Sequence, residues 1–365
     1  MTMALSRQEL QIEPIARAST IPAQWYVDPD MLELEKERVF GRSWQLVGHT
    51  GQVAEPGAYF TCEVGGEPLV VVRGQDGIIR AFSNVCRHRG GPVARGAGVL
   101  RIFHCAYHGW TYNLDGSLRV APELGDIEAF DEDKVSLPKA RVELLPPLVF
   151  VNLDTDAPPL AQYLGDFPDF LRRYDADKLR FIVQKRYEVA ANWKILLDNF
   201  LECYHCPLLH RTTVAAKVDL RGYIVESHDW YSRHYFASAA PDKLAAAAAP
   251  VEQTVRHTYC FFPNYAINLL PGWLITFRVL PVAVDRSVVL REFFCDDQSK
   301  SPAELEQDGA MAYYAKVFAE DIEMVQLVQK QLRSRFYTRG RYSVRLEQGV
   351  YHFHSLLRRV LAEAA

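Results

Sequence analysis

Two short segments of the chain combine cysteine and histidine in a way that could bind metal. Cys86 and His88 lie in the sequence CRHRG, and Cys105 and His108 lie in the sequence CAYHGW. Each segment follows strand-forming residues and has a glycine within two residues of its histidine, which indicates a tight loop. Two thiolates and two imidazoles suit a tetrahedral zinc ion, or a [2Fe–2S] cluster with cysteine on one iron and histidine on the other.

The spacing of these residues favours the cluster. Structural zinc sites commonly place cysteine near cysteine and histidine near histidine. Here each segment supplies one residue of each type, and sixteen residues separate His88 from Cys105. Each loop can therefore reach both irons of a two-iron cluster, an arrangement that closely resembles the Rieske pattern. A zinc site is the alternative.

A second group of possible ligands lies in residues 192–210, NWKILLDNFLECYHCPLLH, whose apolar residues predict a helix. His205 and His210 are five residues apart, so a continuous helix would point them about 140° apart. Pro207 disfavours helix at the residue before it. We therefore expect the helix to end near His205, after which the chain can turn and bring His210 towards the same centre.

An iron ion with positions open for O₂ and substrate needs a third ligand beside two histidines, typically a carboxylate. The predicted helix AEDIEMVQLVQKQL offers Glu320, Asp321 and Glu323. The helical neighbours of Asp321 are apolar and those of Glu323 are largely polar, so Asp321 is expected to be the buried acid and the ligand. A capped or ion-paired Asp321 is the alternative.

These sequences together resemble the α subunit of a Rieske non-haem iron oxygenase, of the ring-hydroxylating oxygenase superfamily. The similarity covers nearly the whole chain from Trp44 onwards. It implies a [2Fe–2S] cluster on the two Cys-His segments, and a mononuclear Fe(II) on His205, His210 and Asp321. It also implies that Glu202 bridges the two metal centres and relays electrons between them. Because the family builds this contact between neighbouring subunits, a homotrimer is expected.

The sequence Glu-Cys-Tyr-His-Cys at 202–206 is more similar to the carnitine, glycine betaine and proline betaine branch than to arene dioxygenases, many of which carry Gly-Asp before Tyr-His. The resemblance implies a terminal oxygenase that uses O₂ to hydroxylate or demethylate a small substrate, with a quaternary ammonium compound favoured. An aromatic-ring hydroxylating dioxygenase acting on an arene or aromatic acid is the alternative. The sequence shows no dinucleotide fingerprint, so electrons from NAD(P)H are expected through a separate reductase, with or without a ferredoxin.

The strand and helix signals predict an α+β protein. We expect residues 1–43 to form a segment that packs on the catalytic domain. We expect residues 44–155 to form an all-β Rieske domain of short strands and glycine-containing turns. Residues 156–365 predict an α+β catalytic domain whose helices surround an antiparallel sheet. The alanine-rich stretch 237–250 predicts a loop or a marginal helix. Six aromatic residues of the predicted sheet are candidates for a substrate pocket, about half of which can face it: Tyr259, Phe261, Phe262, Tyr265, Trp273 and Phe277.

Composition excludes several classes of protein. The chain has 365 residues, 49% of them hydrophobic and 24% charged, which is typical of a globular protein. A net charge of −4 gives no basic field for nucleic acid or an anionic membrane. Apolar runs are too short to span a bilayer and no secretory signal is visible, so a cytoplasmic location is expected. Cys203 and Cys206 form a CxxC sequence without a thioredoxin-like context, and we interpret them as packing residues.

A simple electron carrier with a Rieske cluster would explain residues 44–153 and leave the second ligand group without a role. A zinc-containing binding protein is the other alternative, and it would lack the colour and acid-labile sulfide of an iron–sulfur protein.

Overall fold

The computed structural model describes residues 5–216, 219–236, 256–307 and 309–363. The chain forms two compact units, Phe40–Leu160 and a unit that joins Met1–Val39 to Ala161–Ala365. The predicted alanine-rich stretch at 237–250 lies outside the described residues. No helix in the described ranges has the length and apolar character that crossing a membrane requires.

The unit Phe40–Leu160 is an antiparallel β structure with three 3₁₀ turns, Phe40–Arg42, Thr50–Val53 and Glu132–Val135. Seven strands form one sheet in the order β1-β10-β9-β4-β3-β2-β5, and β6-β7-β8 form a second, small sheet. The strands are β1 (Gln45–His49), β2 (Ala58–Val64), β3 (Glu67–Arg73), β4 (Ile79–Ser83), β5 (Ala97–Val99), β6 (Phe103–His104), β7 (Thr111–Tyr112), β8 (Leu118–Val120), β9 (Lys139–Leu145) and β10 (Leu148–Asn152).

Strand β3 is buried on both faces because its side chains alternate between two hydrophobic clusters. Val70 points into the cluster that contains Cys86 and Cys105, whereas Val71 points into the cluster on the other side. The two predicted thiolate ligands therefore lie in a packed part of this unit.

The other unit contains a seven-stranded antiparallel sheet in the order β11-β17-β16-β15-β14-β13-β12. Together with the helices around it, this sheet confirms the α+β class. The strands are β11 (Arg180–Val189), β12 (Tyr223–Ser227), β13 (Tyr231–Phe236), β14 (His257–Phe261), β15 (Tyr265–Leu270), β16 (Trp273–Ala283) and β17 (Arg286–Cys295).

The described helices of this unit are α1 (Arg7–Leu10), α2 (Pro29–Arg38), α3 (Leu160–Leu164), α4 (Phe167–Arg173), α5 (Trp193–Phe200), α6 (Cys206–Leu209), α7 (Pro302–Glu306), α8 (Gly309–Gln331) and α9 (Gln348–Glu363). The first residue of α3, Leu160, is the last residue of the other unit. Three 3₁₀ turns lie at Ala23–Tyr26, Ala176–Lys178 and Leu220–Gly222.

Helix α5 begins at Asn192, whose side chain accepts a hydrogen bond from the backbone N–H of Lys194 and so caps the first turn. A buried polar contact holds this helix to α2. Glu35 accepts hydrogen bonds from Lys194 Nζ at 2.6 Å and from Trp193 Nε1 at 2.7 Å. Both charged side chains are fully buried, so the N-terminal segment is tied to the helix that leads into the second ligand group.

The prediction that α5 continues to about His205 is wrong, because the helix ends at Phe200. The carboxylate of Glu202 accepts hydrogen bonds from the backbone N–H groups of Tyr204 and His205. Such side-chain contacts compete with helical backbone bonds and favour a turn. The chain starts a separate short helix, α6, with Pro207 in its first turn, where proline is well tolerated.

Candidate functional site

The two Cys-His loops of the Phe40–Leu160 unit have the same backbone geometry. In one loop Gly90 N–H donates to the carbonyl of Cys86, and in the other Gly109 N–H donates to the carbonyl of Cys105, both at 3.0 Å. The two glycines have φ values of 76° and 77°, a left-handed conformation that favours glycine. Two matched tight turns therefore present the four predicted ligands.

The ligand types are separated by depth in this unit. Cys86 and Cys105 are 3% and 2% exposed, whereas His88 and His108 lie at the surface. The two imidazole centroids are 4.5 Å apart, and the ring of Trp110 stacks on His88 at 5.0 Å. Sulfur donors inside and nitrogen donors outside fit a cluster whose two irons take different ligands.

Tyr112 is a contact that the sequence did not indicate. Its hydroxyl lies 3.3 Å from Cys86 Sγ and accepts a hydrogen bond from the backbone N–H of Arg87. Burial, with the neighbouring Cys86, raises the pKa of Tyr112, so the hydroxyl keeps its proton. It can therefore donate to the sulfur, a contact of the kind that tunes iron–sulfur potentials.

His205, His210 and Asp321 converge in the other unit. The Nε2 atoms of the two histidines are 3.2 Å apart, and Asp321 Oδ1 lies 3.1 Å from His210 Nε2 and 3.5 Å from His205 Nε2. Ligands bound at about 2.1 Å and roughly at right angles would be about 3 Å apart. The donor set and its spacing fit one metal ion. Asn199 donates to the same Asp321 oxygen at 3.2 Å and helps to orient it.

Each of the two histidines also has a carboxylate at its other ring nitrogen. Glu202 contacts Nδ1 of His205, and Glu320 lies 2.8 Å from Nδ1 of His210. A carboxylate in this position fixes the tautomer that leaves Nε2 free to bind a metal. Burial disfavours the protonated form of His210. The hydrogen bonds and the negative charges of Asp321 and Glu320 outweigh this effect, so the pKa of His210 is raised.

The sequence indicates Glu320 only as an alternative metal ligand to Asp321. In the structure Glu320 is adjacent to Asp321 on α8, but its carboxylate contacts the Nδ1 atom of His210. Thr213 Oγ1 also donates a hydrogen bond to this carboxylate, at 2.6 Å. Burial opposes ionisation of Glu320, but the hydrogen bonds from Thr213 and His210 outweigh it and lower its pKa. Glu323 is exposed, as its helical neighbours predicted.

The interpretation of Cys203 and Cys206 as packing residues needs correction. Both are buried, but they are joined by a disulfide, with Cα atoms 5.0 Å apart. Cys206 Sγ lies 4.0 Å from His205 Nε2, and a disulfide sulfur is not the thiolate that metals bind.

A cavity opens beside the three converging residues. Of the six aromatic candidates from the sequence, Phe277 lines it, while most of the others are buried in the sheet core. The remaining aromatic lining comes from residues whose pattern gave no signal: Phe200, Tyr223, Tyr235, Phe236, Tyr314 and Phe318. The same wall carries two arginines, Arg256 and Arg291.

Comparisons with known proteins match both parts of the chain. Residues 43–131 match the family model for the Rieske [2Fe-2S] domain, and residues 176–363 match that for the catalytic domain of the ring hydroxylating alpha subunit. The carnitine monooxygenase oxygenase subunit of Acinetobacter pittii is 33% identical over 326 residues, 88% of this chain and 87% of that protein. The chloroplastic choline monooxygenase of Arabidopsis thaliana is 32% identical over 363 residues, 94% of this chain and 83% of that protein.

Solved structures show the same likeness. The quaternary ammonium Rieske monooxygenase CntA, in complex with L-carnitine, superposes with a TM-score of 0.82 at 29% identity, covering 96% of this chain and 99% of that one. Naphthalene 1,2-dioxygenase from Rhodococcus sp. superposes with a TM-score of 0.78 at 23% identity, covering 95% of each chain, which shows a shared fold.

Proposed function

Because this chain belongs to the family of Rieske-type ring-hydroxylating alpha subunits, we propose that its two ligand groups serve oxidation of a quaternary ammonium substrate. The protein is an oxidoreductase, the terminal oxygenase component of a Rieske non-haem iron system, with a [2Fe–2S] cluster and mononuclear iron as its cofactors. Members of the family act on small molecules and receive electrons from reductase partners.

The cluster would be held by Cys86, His88, Cys105 and His108, and the iron by His205, His210 and Asp321. When bound, the iron supplies O₂ activation and the cluster supplies an electron. Glu202 and Glu320 hold the two imidazoles at their Nδ1 atoms, and Asn199 orients Asp321. The aromatic lining of the cavity excludes water and places the substrate beside these ligands.

We assign the electron relay between the two metal sites to Glu202, acting between subunits of a homotrimer. His88 and His108 are exposed, so a neighbouring copy can reach them. Apolar side chains near Glu202 are also exposed: Met324 and Val328 line a pocket with it, and Tyr204 lies two residues after it in the chain. Burial of such a patch against a second copy would stabilise the assembly. A solved structure of a quaternary ammonium Rieske monooxygenase, 29% identical to this chain, gave insight into inter-subunit electron transfer in that protein.

Mixing two inactive variants tests the assignment to neighbouring subunits. Cys105→Ser removes a cluster ligand, and Glu202→Gln keeps both metal sites but breaks the relay. If electrons pass between subunits, co-expressed mixed trimers should recover part of the turnover, because some interfaces pair an intact cluster with an intact Glu202. No recovery in mixed oligomers, or a monomer by light scattering that turns over normally, would contradict the proposal.

The observation that carries the substrate assignment is the likeness to carnitine and choline monooxygenases along most of the chain. Aromatic faces in the cavity, such as those of Tyr223 and Phe236, suit a trimethylammonium group through cation–π attraction. The test supplies a reductase and NADH and compares trimethylammonium compounds with benzoate-type acids and arenes. We expect NADH and O₂ consumption with product formation for the ammonium compounds. Turnover of arenes alone would establish the ring-hydroxylating alternative.

A further inference from the structure

Arg291 is a buried cation in the wall of the substrate cavity. It projects from β17, is 4% exposed, and its guanidinium lies 5.5 Å from the ring centroid of Phe277 and 5.4 Å from that of Phe318. One nitrogen donates to the carbonyl of Tyr314 at 3.1 Å, whereas Nε has no hydrogen-bond partner among the described residues. A buried charge without an ionic partner is costly, so such residues are rare outside functional sites.

A second guanidinium lies close to the first. Arg256 and Arg291 are each 5.3 Å from the ring centroid of Tyr314, so two cations share one ring. Arg256 donates to Asn268 at 3.1 Å. Across the described ranges, no ion pair joins either arginine to a carboxylate. Burial lowers the pKa of Arg291 to about 10, and the charge of Arg256 contributes in the same direction.

The hydroxyl of Tyr314 is a further polar group beside the two guanidinium groups. It is buried, lines the same cavity, and has no hydrogen bond to any described residue. Elsewhere in the same sheet a buried cation is paired, since Arg278 Nη2 lies 2.9 Å from Glu292 Oε1. Arg291, which lines the cavity, has no such acid among the described residues.

We infer that Arg256, Tyr314 and Arg291, here called the anion group, bind a carboxylate of the substrate. Guanidinium groups match carboxylate geometry and form strong charge-assisted hydrogen bonds with it. Because His205 and Asp321 line the same cavity, the bound carboxylate would anchor the substrate beside the iron ligands. The inference rests on the proposed function for the trimethylammonium half of the substrate, and together they specify a betaine, a trimethylammonium carboxylate, and exclude choline.

Matched substrates test the anion group on the iron- and cluster-loaded enzyme. Glycine betaine and choline differ only in a carboxylate against a hydroxymethyl group, and L-carnitine differs from its methyl ester by the ester methyl group, which removes the carboxylate charge. We expect kcat/KM for each carboxylate to exceed that of its partner by about 30-fold or more. Equal turnover of choline overturns the anion group and leaves the quaternary ammonium assignment intact. Turnover of benzoate-type acids alone overturns that assignment and supports the anion group, while turnover of uncharged arenes alone overturns both.

Variants separate substrate binding from structural support. Arg291→Met should weaken binding of the tightest carboxylate, measured by calorimetry, by about 30-fold or more. Arg291→Lys should restore part of it. Removing a buried charge that has no acid partner should leave the thermal midpoint and both metal contents unchanged or raise the midpoint. Arg286→Met, at the exposed start of β17, is the control and should change neither the carboxylate affinity nor the thermal midpoint.

Arg256→Met provides a second measurement and should also weaken carboxylate binding. Unchanged carboxylate binding in both Met variants, or a drop in the thermal midpoint of Arg291→Met without any loss of affinity, would overturn the inference.

Discussion

Glu320 holds the imidazole of His210 at Nδ1, at 2.8 Å, while Asp321, the next residue on the same helix, contacts the Nε2 of that ring at 3.1 Å. Two adjacent residues of α8 therefore contact the two ring nitrogens of one histidine. Thr213 completes the arrangement by donating to Glu320. The carboxylate behind the ring fixes both its tautomer and its direction.

Loss of Glu320 should therefore weaken iron binding without removing an iron ligand. We expect Glu320→Ala to lower the affinity for the mononuclear iron by about 10- to 100-fold. The measurement is iron retained after dialysis against a graded chelator, with the Rieske EPR signal unchanged. Glu323→Ala, exposed on the same helix, is the control. Equal iron retention in the two variants would show that Glu320 does not position His210.

Asp321→Ala should have a stronger effect, since it removes a proposed ligand. We expect loss of the mononuclear iron and of turnover. The visible and EPR spectra of the cluster should remain, because the cluster ligands lie in the other unit of the chain. Retention of iron in this variant, or its loss in Glu323→Ala, would mean that the wrong face of α8 has been chosen.

Cys105→Ser should remove the cluster and spare the other metal. Cys105 is buried, and the thiolate it supplies is what an iron–sulfur cluster requires. We expect loss of the Rieske EPR signal and of acid-labile sulfide, with the iron of the second site retained. Cys62→Ser, in β2 outside both loops, should keep the signal. Purified wild-type protein containing zinc alone would contradict the cluster assignment.

The buried pair of Lys194 and Glu35 should be important for stability. Burial raises the pKa of Glu35 and lowers that of Lys194, while their mutual attraction opposes both shifts. Lys194→Met leaves the Glu35 carboxylate without its cation, and we expect a loss of about 3–5 kcal/mol in the free energy of unfolding. Adding Glu35→Gln should recover much of it. Lys36→Met removes a surface pair with Glu33 and should cost less than about 1 kcal/mol.

His234 should make the protein sensitive to mild acid. Burial, followed by the charges of His352 and Arg256, lowers the pKa of His234 to about 3, and the neutral ring makes hydrogen bonds with Tyr223 and Ser232. An unfolded histidine titrates near 6.5. The unfolded chain therefore binds more protons below pH 6.5, and this contribution to stability is complete above that pH and decreases towards pH 3.

The slope is about 1.4 kcal/mol per pH unit for one such group. His234→Gln should reduce the loss of unfolding free energy between pH 7.5 and 5.5 by about 1.4 kcal/mol, measured by urea titration at both pH values. An identical loss in the wild type and the variant would show that His234 titrates normally in the folded protein.

Residue types at short spacing were enough to identify most of the proposed ligands. Cys86 and His88 lie within one tight loop, so local sequence defines their geometry. The face of a helix follows from its period, and that indicated Asp321, which lies at the Nε2 atom of His210, although it did not indicate the contact of Glu320 with the other nitrogen of this ring. The strand-rich first part and the mixed second part were equally visible, because turn residues and periodicity are local signals.

What the sequence could not decide depends on contacts between distant residues. The carboxylate of Glu202 ends α5 early by bonding to backbone N–H groups, a competition that helix propensity does not register. Arg256 immediately precedes β14, Arg291 lies in β17 and Tyr314 lies in α8, and only the folded chain brings the two guanidinium groups to the ring of Tyr314. The sequence by itself favoured an iron–sulfur cluster over zinc and indicated a second metal site, because ligand types and their spacing are local features. The tertiary structure decided which charges line the cavity, because burial and pairing are properties of neighbours that lie far apart in the chain.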